Sequence, residues 1–204
     1  LENILSNEKR VIGFSNFVEG KVLLVSENKT QVVNLKGIEE VKSFNVYGFE
    51  ENVILGEFDL SDENTPSVII GLQLADRMHL SIDDTLMIVS PAGIERAIIN
   101  LSIPSIQRFV VKGIFQSNNN DYDAGYIFSS IKSSQILFNQ RNNIDGIDVR
   151  FDNINFADQF KDYMLQLRKS PNYLDLAWTA SKRSNTDFPR NFFNTFIHFL
   201  KRML

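Results

Sequence analysis

Strand-patterned runs recur along this chain, and short helical patterns fall between them. Residues 21–25, 30–35 and 43–47 alternate or run with β-branched side chains and read as strands. Glu27-Asn28-Lys29 and Lys36-Gly37 read as turns between them. The clearest strands are 85–89 and 108–115, and further strands are read at 144–151 and 174–178. Short helices are predicted over 1–10, over 71–80 through Leu72, Ala75, Met78 and Leu80, and over 129–138 through Ile131, Ile136 and Leu137. A further helix is read over 157–167, where Phe160, Met164 and Leu167 share a face and Asp152 or Asn153 is the cap. Residues 57–65 are polar and acidic, a loop ahead of Pro66. No Gly-rich phosphate loop interrupts this order, which gives an α+β fold class. Two subdomains are expected. Residues 1–47 and 143–204 form an outer subdomain with a βαβ unit. Residues 48–142 form an inserted, strand-rich subdomain with a projecting hairpin.

The 204 residues include no cysteine, which removes disulfides, zinc ribbons, thiol catalysis and iron–sulfur clusters. The net charge of -4 speaks against a nucleic-acid partner bound through its phosphates. No apolar run approaches the ~18 residues that span a bilayer. The chain starts at Leu1, has no methionine before Met78, and stops inside an apolar pattern at Phe199-Leu200-Lys201-Arg202-Met203-Leu204. Both ends are therefore expected to continue in a longer protein.

Nothing in the sequence reads as catalytic machinery. His79 and His198 lie far apart, and neither has a second ligand at helical spacing, so no metal site is expected. Asp121-Tyr122-Asp123 lacks the glycine and distal glutamate of a calcium loop and reads as a polar turn. Asp83-Asp84 also reads as a turn, since adjacent carboxylates on an extended chain point to opposite sides. There is no nucleophile elbow, Walker motif or dinucleotide fingerprint, so no cofactor is expected.

Two apolar features stand out. The connection between strands 85–89 and 108–115 is far longer than the roughly 2–5 residues a hairpin needs. It carries Ile98, Ile99, Leu101 and Ile103, followed by Pro104. Such a segment either packs on its own lobe or meets a partner. The second feature is 188–204, read as a helix with Asp187 as N-cap and Pro189 in its first turn. Phe192, Phe196, Phe199 and Met203 form a stripe, with Phe193, Ile197, Leu200 and Leu204 beside it. That face is wider than a small domain covers, so it is either a core helix or one running toward a membrane.

The residues 67–80, Ser-Val-Ile-Ile-Gly-Leu-Gln-Leu-Ala-Asp-Arg-Met-His-Leu, resemble an I-I-G-x-x-L-A-x-x-L-x-L pattern that precedes a Gly-Asp turn. Residues 85–91 resemble a strand ending in Ser-Pro, and 109–115 an F-x-V-x-G-I-F strand. Asp121-Tyr122-Asp123, Tyr126-Ile127-Phe128 and 147–151 follow where the same family carries a Y-D turn, a strand and an I-x-V-R strand. Over about 37–204 the chain resembles the extracytoplasmic domain of a lipoprotein-releasing ABC transporter permease (the LolC/LolE type, in the MacB/FtsX-like superfamily). It departs from the pattern in having Asp83-Asp84 for the Gly-Asp turn, and Phe199-Leu200 where the family carries a Glu-Lys pair.

The resemblance implies a periplasmic piece of an inner-membrane permease, without bond chemistry of its own. Implied partners are a cytoplasmic ATPase subunit, a second permease copy or sister permease, the lipoprotein cargo and a periplasmic lipoprotein carrier. It further implies a two-stranded arm over about 92–106 that recruits the carrier through Ile98, Ile99, Leu101 and Ile103. Pro104, Gln107 and Arg108 would stand at its base. Efflux of the MacB type and an FtsX-type interaction scaffold are the alternative functions.

Overall fold

β1, Val11–Ser26, runs through two different neighbourhoods and organises the molecule. In the computed structural model the described residues are 2–27, 29–48, 51–91, 99, 106–117, 119–153, 156–157, 159–161, 176–180 and 197–201. A short helix, α1 (Glu2–Asn7), precedes β1. A turn at Glu27, with φ 45°, returns the chain as β2 (Lys29–Ile38), antiparallel to β1 from Phe17↔Ile38 to Ser26↔Lys29. Helix α2 (Glu40–Tyr47) follows and ends at Gly48, whose φ of 63° lets its N–H bond back to the Phe44 carbonyl. The strand expected at 43–47 is therefore a helix. Ser43, Val46 and Tyr47 share its buried side, the three-to-four spacing that a short alternating pattern hides. The turn expected at Lys36-Gly37 lies instead inside β2.

The middle of the chain supplies β3 (Val53–Gly56), β4 (Ser67–Gly71), α3 (Leu72–Met78), β5 (Thr85–Val89) and β6 (Ile106–Phe115). Helix α4 (Asn120–Gly125), β7 (Tyr126–Ser130), α5 (Ile131–Phe138) and β8 (Gly146–Phe151) come next. Asn119 caps α4 through its side chain, so Asp121 and Asp123 sit in a helical turn rather than a plain polar one. The Asp83-Asp84 turn is present. The Ser81 N–H donates to the Asp84 carboxylate, and Lys112 donates to that of Asp83.

The strands form one mixed sheet in the order β2-β7-β4-β6-β5-β1-β8-β10-β9, with β2 also paired to β1. That last pairing closes β1, β2, β7, β4, β6 and β5 into a ring, so the sheet becomes a barrel. It is filled by the residues that alternation turns inward. Val22, Leu24, Val33, Leu35, Val68, Ile70, Leu86, Ile88, Phe109, Val111 and Ile127 form one buried cluster. Leu74, Ala75 and Met78 of α3 and Leu137 of α5 join it. Two inward glycines admit α5 closely: a Cβ on Gly20 would meet the Phe138 ring at 2.8 Å, and one on Gly37 would collide with Ser134. A second apolar cluster covers part of the outer wall, with Phe17, Ile38, Ile69, Phe115 and Phe128 packed under Val46 and Tyr47 of α2 and Leu60.

Below Phe17, β1 leaves the barrel and pairs with β8. Leu5, Ile147, Val149, Phe151, Ala157 and Phe160 form a third cluster there. Beyond β8 come β10 (Ile197–Lys201) and β9 (Leu176–Ala180). The helix expected over 188–204 is thus corrected at 197–201. These residues are a strand between β8 and β9. A short run of Ile and Phe suits either state, and the open edge of β8 offers backbone partners that fix it as strand. The rest of 188–204 lies outside the described residues. Helical backbone is present at 156–157 and 159–161, overlapping the start of the helix read over 157–167. Among the described residues no helix is long and apolar enough to cross a membrane.

Candidate docking surface

The outer wall of the barrel is bare where β2, β1, β5 and β6 run side by side. Register places Val32, Leu23, Val89 and Ile106 in one row across the four strands. The next row is Thr30, Val25, Met87 and Arg108. All face away from the interior, because Val22, Leu24, Val33, Ile88 and Phe109 between them face in. Val32 is 59% exposed, Ile106 52% and Met87 39%. Arg108 stands at the end of its row, also exposed. The result is an apolar strip, exposed on either side of Val89, which is itself buried, with one guanidinium at its margin. That composition suits a protein partner better than a small polar ligand.

The strip borders the connection from β5 to β6. Ile99 has helical backbone there and is 79% exposed. The two-stranded arm expected over about 92–106 lies, apart from Ile99 and Ile106, outside the described residues. Ile98, Leu101, Ile103 and Pro104 lie outside the described residues. Gln107 and Arg108 are both in β6, which begins at Ile106, two residues earlier than the sequence pattern gave. They point to opposite sides. Arg108 faces outward beside Met87, while Gln107 is on the inward side with Phe109, half-buried, its Oε1 lacking a hydrogen-bond partner. The sequence had placed Gln107 and Arg108 together, and strand alternation separates them. Val32, Met87 and Ile106 went unnoticed as a surface because they come from separate segments, and only cross-strand register makes them neighbours.

A polar cluster sits farther along the same outer face, at the point where β1 leaves the barrel. Lys36 Nζ lies 2.5 Å from Asp148 Oδ2 and 3.8 Å from Glu19, and the Tyr47 hydroxyl donates to the same Asp148 oxygen. Asp148 is fully buried, and Lys36 is 6% exposed. The ammonium also lies 4.4 Å from the centre of the Phe17 ring. Burial alone would depress the Lys36 pKa. The Asp148 and Glu19 carboxylates outweigh it and hold the pKa above the ordinary lysine value. Burial, reinforced by the negative charge of Asp148, pushes the Tyr47 phenol well above the ordinary tyrosine value. The signal for this cluster was in the sequence as single charges inside apolar strand runs, Leu35-Lys36 and Ile147-Asp148-Val149. Among the described residues no cluster of His, Asp and Glu is arranged to hold a metal ion.

No family model matches the chain. It is similar to the lipoprotein-releasing system transmembrane protein LolC of Buchnera aphidicola subsp. Schizaphis graminum, with 24% identity over 186 residues, 85% of this chain and 42% of that protein. The LolC of Xylella fastidiosa (strain Temecula1) is 22% identical over 179 residues, 84% of this chain and 40% of its own length. The chain therefore spans about two fifths of the curated relatives it matches. Among solved structures, the extracellular domain of the noncanonic ABC-type transporter YknZ from Gram-positive bacteria superposes with a TM-score of 0.53 at 14% identity, over 78% of this chain and 74% of that one. The periplasmic region of MacB from Actinobacillus actinomycetemcomitans gives 0.51 at 20% identity, over 81% and 70%. The chain thus shares its fold with the YknZ extracellular domain and the MacB periplasmic region, and the resemblance read from the residues is to the same group of proteins. The relatives are transporter components rather than enzymes.

Proposed function

We propose that this chain is the periplasmic domain of an inner-membrane ABC permease that helps release lipoproteins and hands them to a soluble periplasmic carrier. The observation that carries the reading is the uncovered apolar strip at the roots of the β5–β6 connection, in a chain whose curated relatives are named as lipoprotein-releasing. Energetics favours this strip as the docking anchor. Burying an exposed Ile or Met side chain contributes about 1.5–3 kcal/mol, before the cost of ordering the partners. An ion pair at the margin, through Arg108, contributes about 1 kcal/mol or less while it stays wet. The carrier would meet Ile98, Ile99, Leu101 and Ile103 on the connection, and then Ile106 and Arg108. Pro104 and Gln107 would shape the base. A cytoplasmic ATPase and a second permease copy or sister subunit would act through the membrane part of the protein. The MacB likeness favours a second reading, an efflux permease domain that passes substrate toward an outer-membrane channel.

The test is capture of the purified periplasmic lipoprotein carrier on the immobilised chain, comparing the parent with Ile98→Asp/Ile99→Asp. The double variant is expected to keep its thermal midpoint and lose carrier capture by more than tenfold, since one desolvated apolar anchor is worth about that much. Unchanged capture by a folded double variant overturns the role of the connection. Absence of capture by the parent, with capture of an efflux-channel partner instead, selects the second reading.

A further inference from the structure

β1 is a single continuous strand, yet its two edges are partnered very differently. On one edge β2 pairs with it without a break from Phe17 to Ser26. On the other edge β5 pairs only with Leu23, Leu24 and Val25, and β8 only from Val11 to Phe17. Leu23 pairs with both β2 and β5, and Phe17 with both β2 and β8, so β5 and β8 lie on the same edge. Between them, residues 18–22 have no strand partner on that edge among the described residues. Asp145 enters the gap. Its N–H donates to the Phe17 carbonyl, and its carboxylate accepts from the Glu19 N–H at 2.8 Å. Gln140 Nε2 donates to that carboxylate from the far side. Gly20, in the middle of the gap, lies against the Phe138 ring and adds no side chain of its own. A strand paired on one edge only, and carrying a glycine there, bends more easily than a stretch paired on both edges, as Leu23–Val25 is.

The Lys36–Asp148 pair spans this point. Lys36 comes from β2 on one edge of β1, opposite Glu19, and Asp148 from β8 on the other edge, opposite Ser15. The ammonium passes over the Phe17 ring to reach the carboxylate, and Tyr47 of α2 ties in from above. Stability is a poor reason for such a pair. Desolvating both charges costs roughly what their attraction returns, and apolar side chains of the same size do as well or better. What the pair adds is direction, since one oxygen atom receives bonds from two elements that reach it from different sides.

We infer that residues 18–22 of β1 form a hinge between the barrel and the β8 layer, held at one angle by the buried Lys36–Asp148–Tyr47 cluster. The barrel and the β8 layer are the two bodies, and each keeps its own apolar cluster when the angle changes. The hinge is independent of what docks at β5 and β6.

The chain has no cysteine, so two spin labels can be placed at will. Thr85→Cys on the barrel and Asp152→Cys after β8 are both exposed. The label–label distance distribution is measured by pulsed electron paramagnetic resonance in this background. Lys36→Met/Tyr47→Phe/Asp148→Leu removes the clamp and leaves no orphaned polar group among the three. The expected result is a thermal midpoint at or above the parent's and a distribution about twofold wider or shifted, as a hinge released between two intact bodies requires. A triple variant with the parent's distribution overturns the clamp, whatever its midpoint. If the triple variant does not fold, Tyr47→Phe decides. It removes one hydroxyl, and its distribution must broaden; an unchanged width overturns the inference.

Discussion

Lys36 keeps a full charge in a place where water does not reach, and its neighbours explain why. Asp148 and Glu19 supply negative charge within 4 Å, and Phe17 presents a ring face. Removing only the lysine leaves the Asp148 carboxylate buried without its ammonium partner. Lys36→Met alone should therefore cost about 3–5 kcal/mol in urea unfolding, far more than the triple replacement that removes all three polar groups. The pH dependence follows from the same contacts. The folded-state pKa of Lys36 lies above the ordinary value of 10.5, and that of Tyr47 well above 10.0. Both groups hold their protons more tightly in the folded state. Their contribution is complete below those ordinary values and is lost as pH rises through the folded ones. The urea midpoint of the parent should hold from pH 8 to about pH 10 and fall above it, and that of Lys36→Met should start lower and fall less. Equal declines in the two proteins would show that the alkaline limb belongs to other groups. The local sequence marks Lys36 only as a charge within a strand run, a mark it shares with outward lysines on half-exposed strands. Burial of both it and Asp148 depends on α2 folding over them.

Helix α5 shows how much of an element was legible. Ser130, ahead of the apolar spacing of Ile131 and Leu137, is the N-cap expected of such a helix, and its Oγ accepts from the Ser133 N–H at 3.0 Å. The sequence did not show its second task. The Ser130 and Ser133 hydroxyls both donate to the Asp62 carboxylate and pin the acidic loop before β4 to the helix start. Ser130→Ala should cost about 1–2 kcal/mol, the upper part of the usual range for a lost cap, because the Asp62 contact goes with it. Asp62→Ala should cost less, since the cap survives. The order of these two midpoints in urea is the check, and the reverse order would assign the stability to the loop contact. Elements with strong periodicity, β5, β6, α3 and α5, were read within a few residues of their bounds. Short amphiphilic runs were not, as α2 and β10 show. Eight residues of mixed polarity satisfy either period, and the neighbour available for pairing or covering decides.

At the scale of the molecule the barrel has two thin seams, β1–β5 and β4–β7, each of three residue pairs. β5 meets β1 over three residue pairs, Leu23↔Val89 to Val25↔Met87, whereas β2 meets β1 over ten, from Phe17↔Ile38 to Ser26↔Lys29. Local opening follows the smallest set of cooperating bonds. Backbone amides bonded across the β1–β5 seam should exchange with deuterium at least tenfold faster than those across β1–β2, a gap of about 1.4 kcal/mol in opening free energy. Equal protection would make the ring a single cooperative unit. The β1–β5 seam lies beneath the proposed docking strip, so a bound partner should slow it selectively.

The strand-rich, mixed α/β character of the chain, the place of its clearest strands and the family it resembles are all legible in the residues, because they rest on patterns among a few near neighbours. The tertiary structure alone decided that β2 returns to pair with β1 and closes a ring. It also decided that Val32, Met87 and Ile106 adjoin one another, that Gln107 and Arg108 part to opposite faces, and that Lys36 meets Asp148 across 112 positions of chain. The physical reason is that strand pairing and burial are set by partners far along the chain, and the same local pattern serves an inward or an outward residue until the register is fixed.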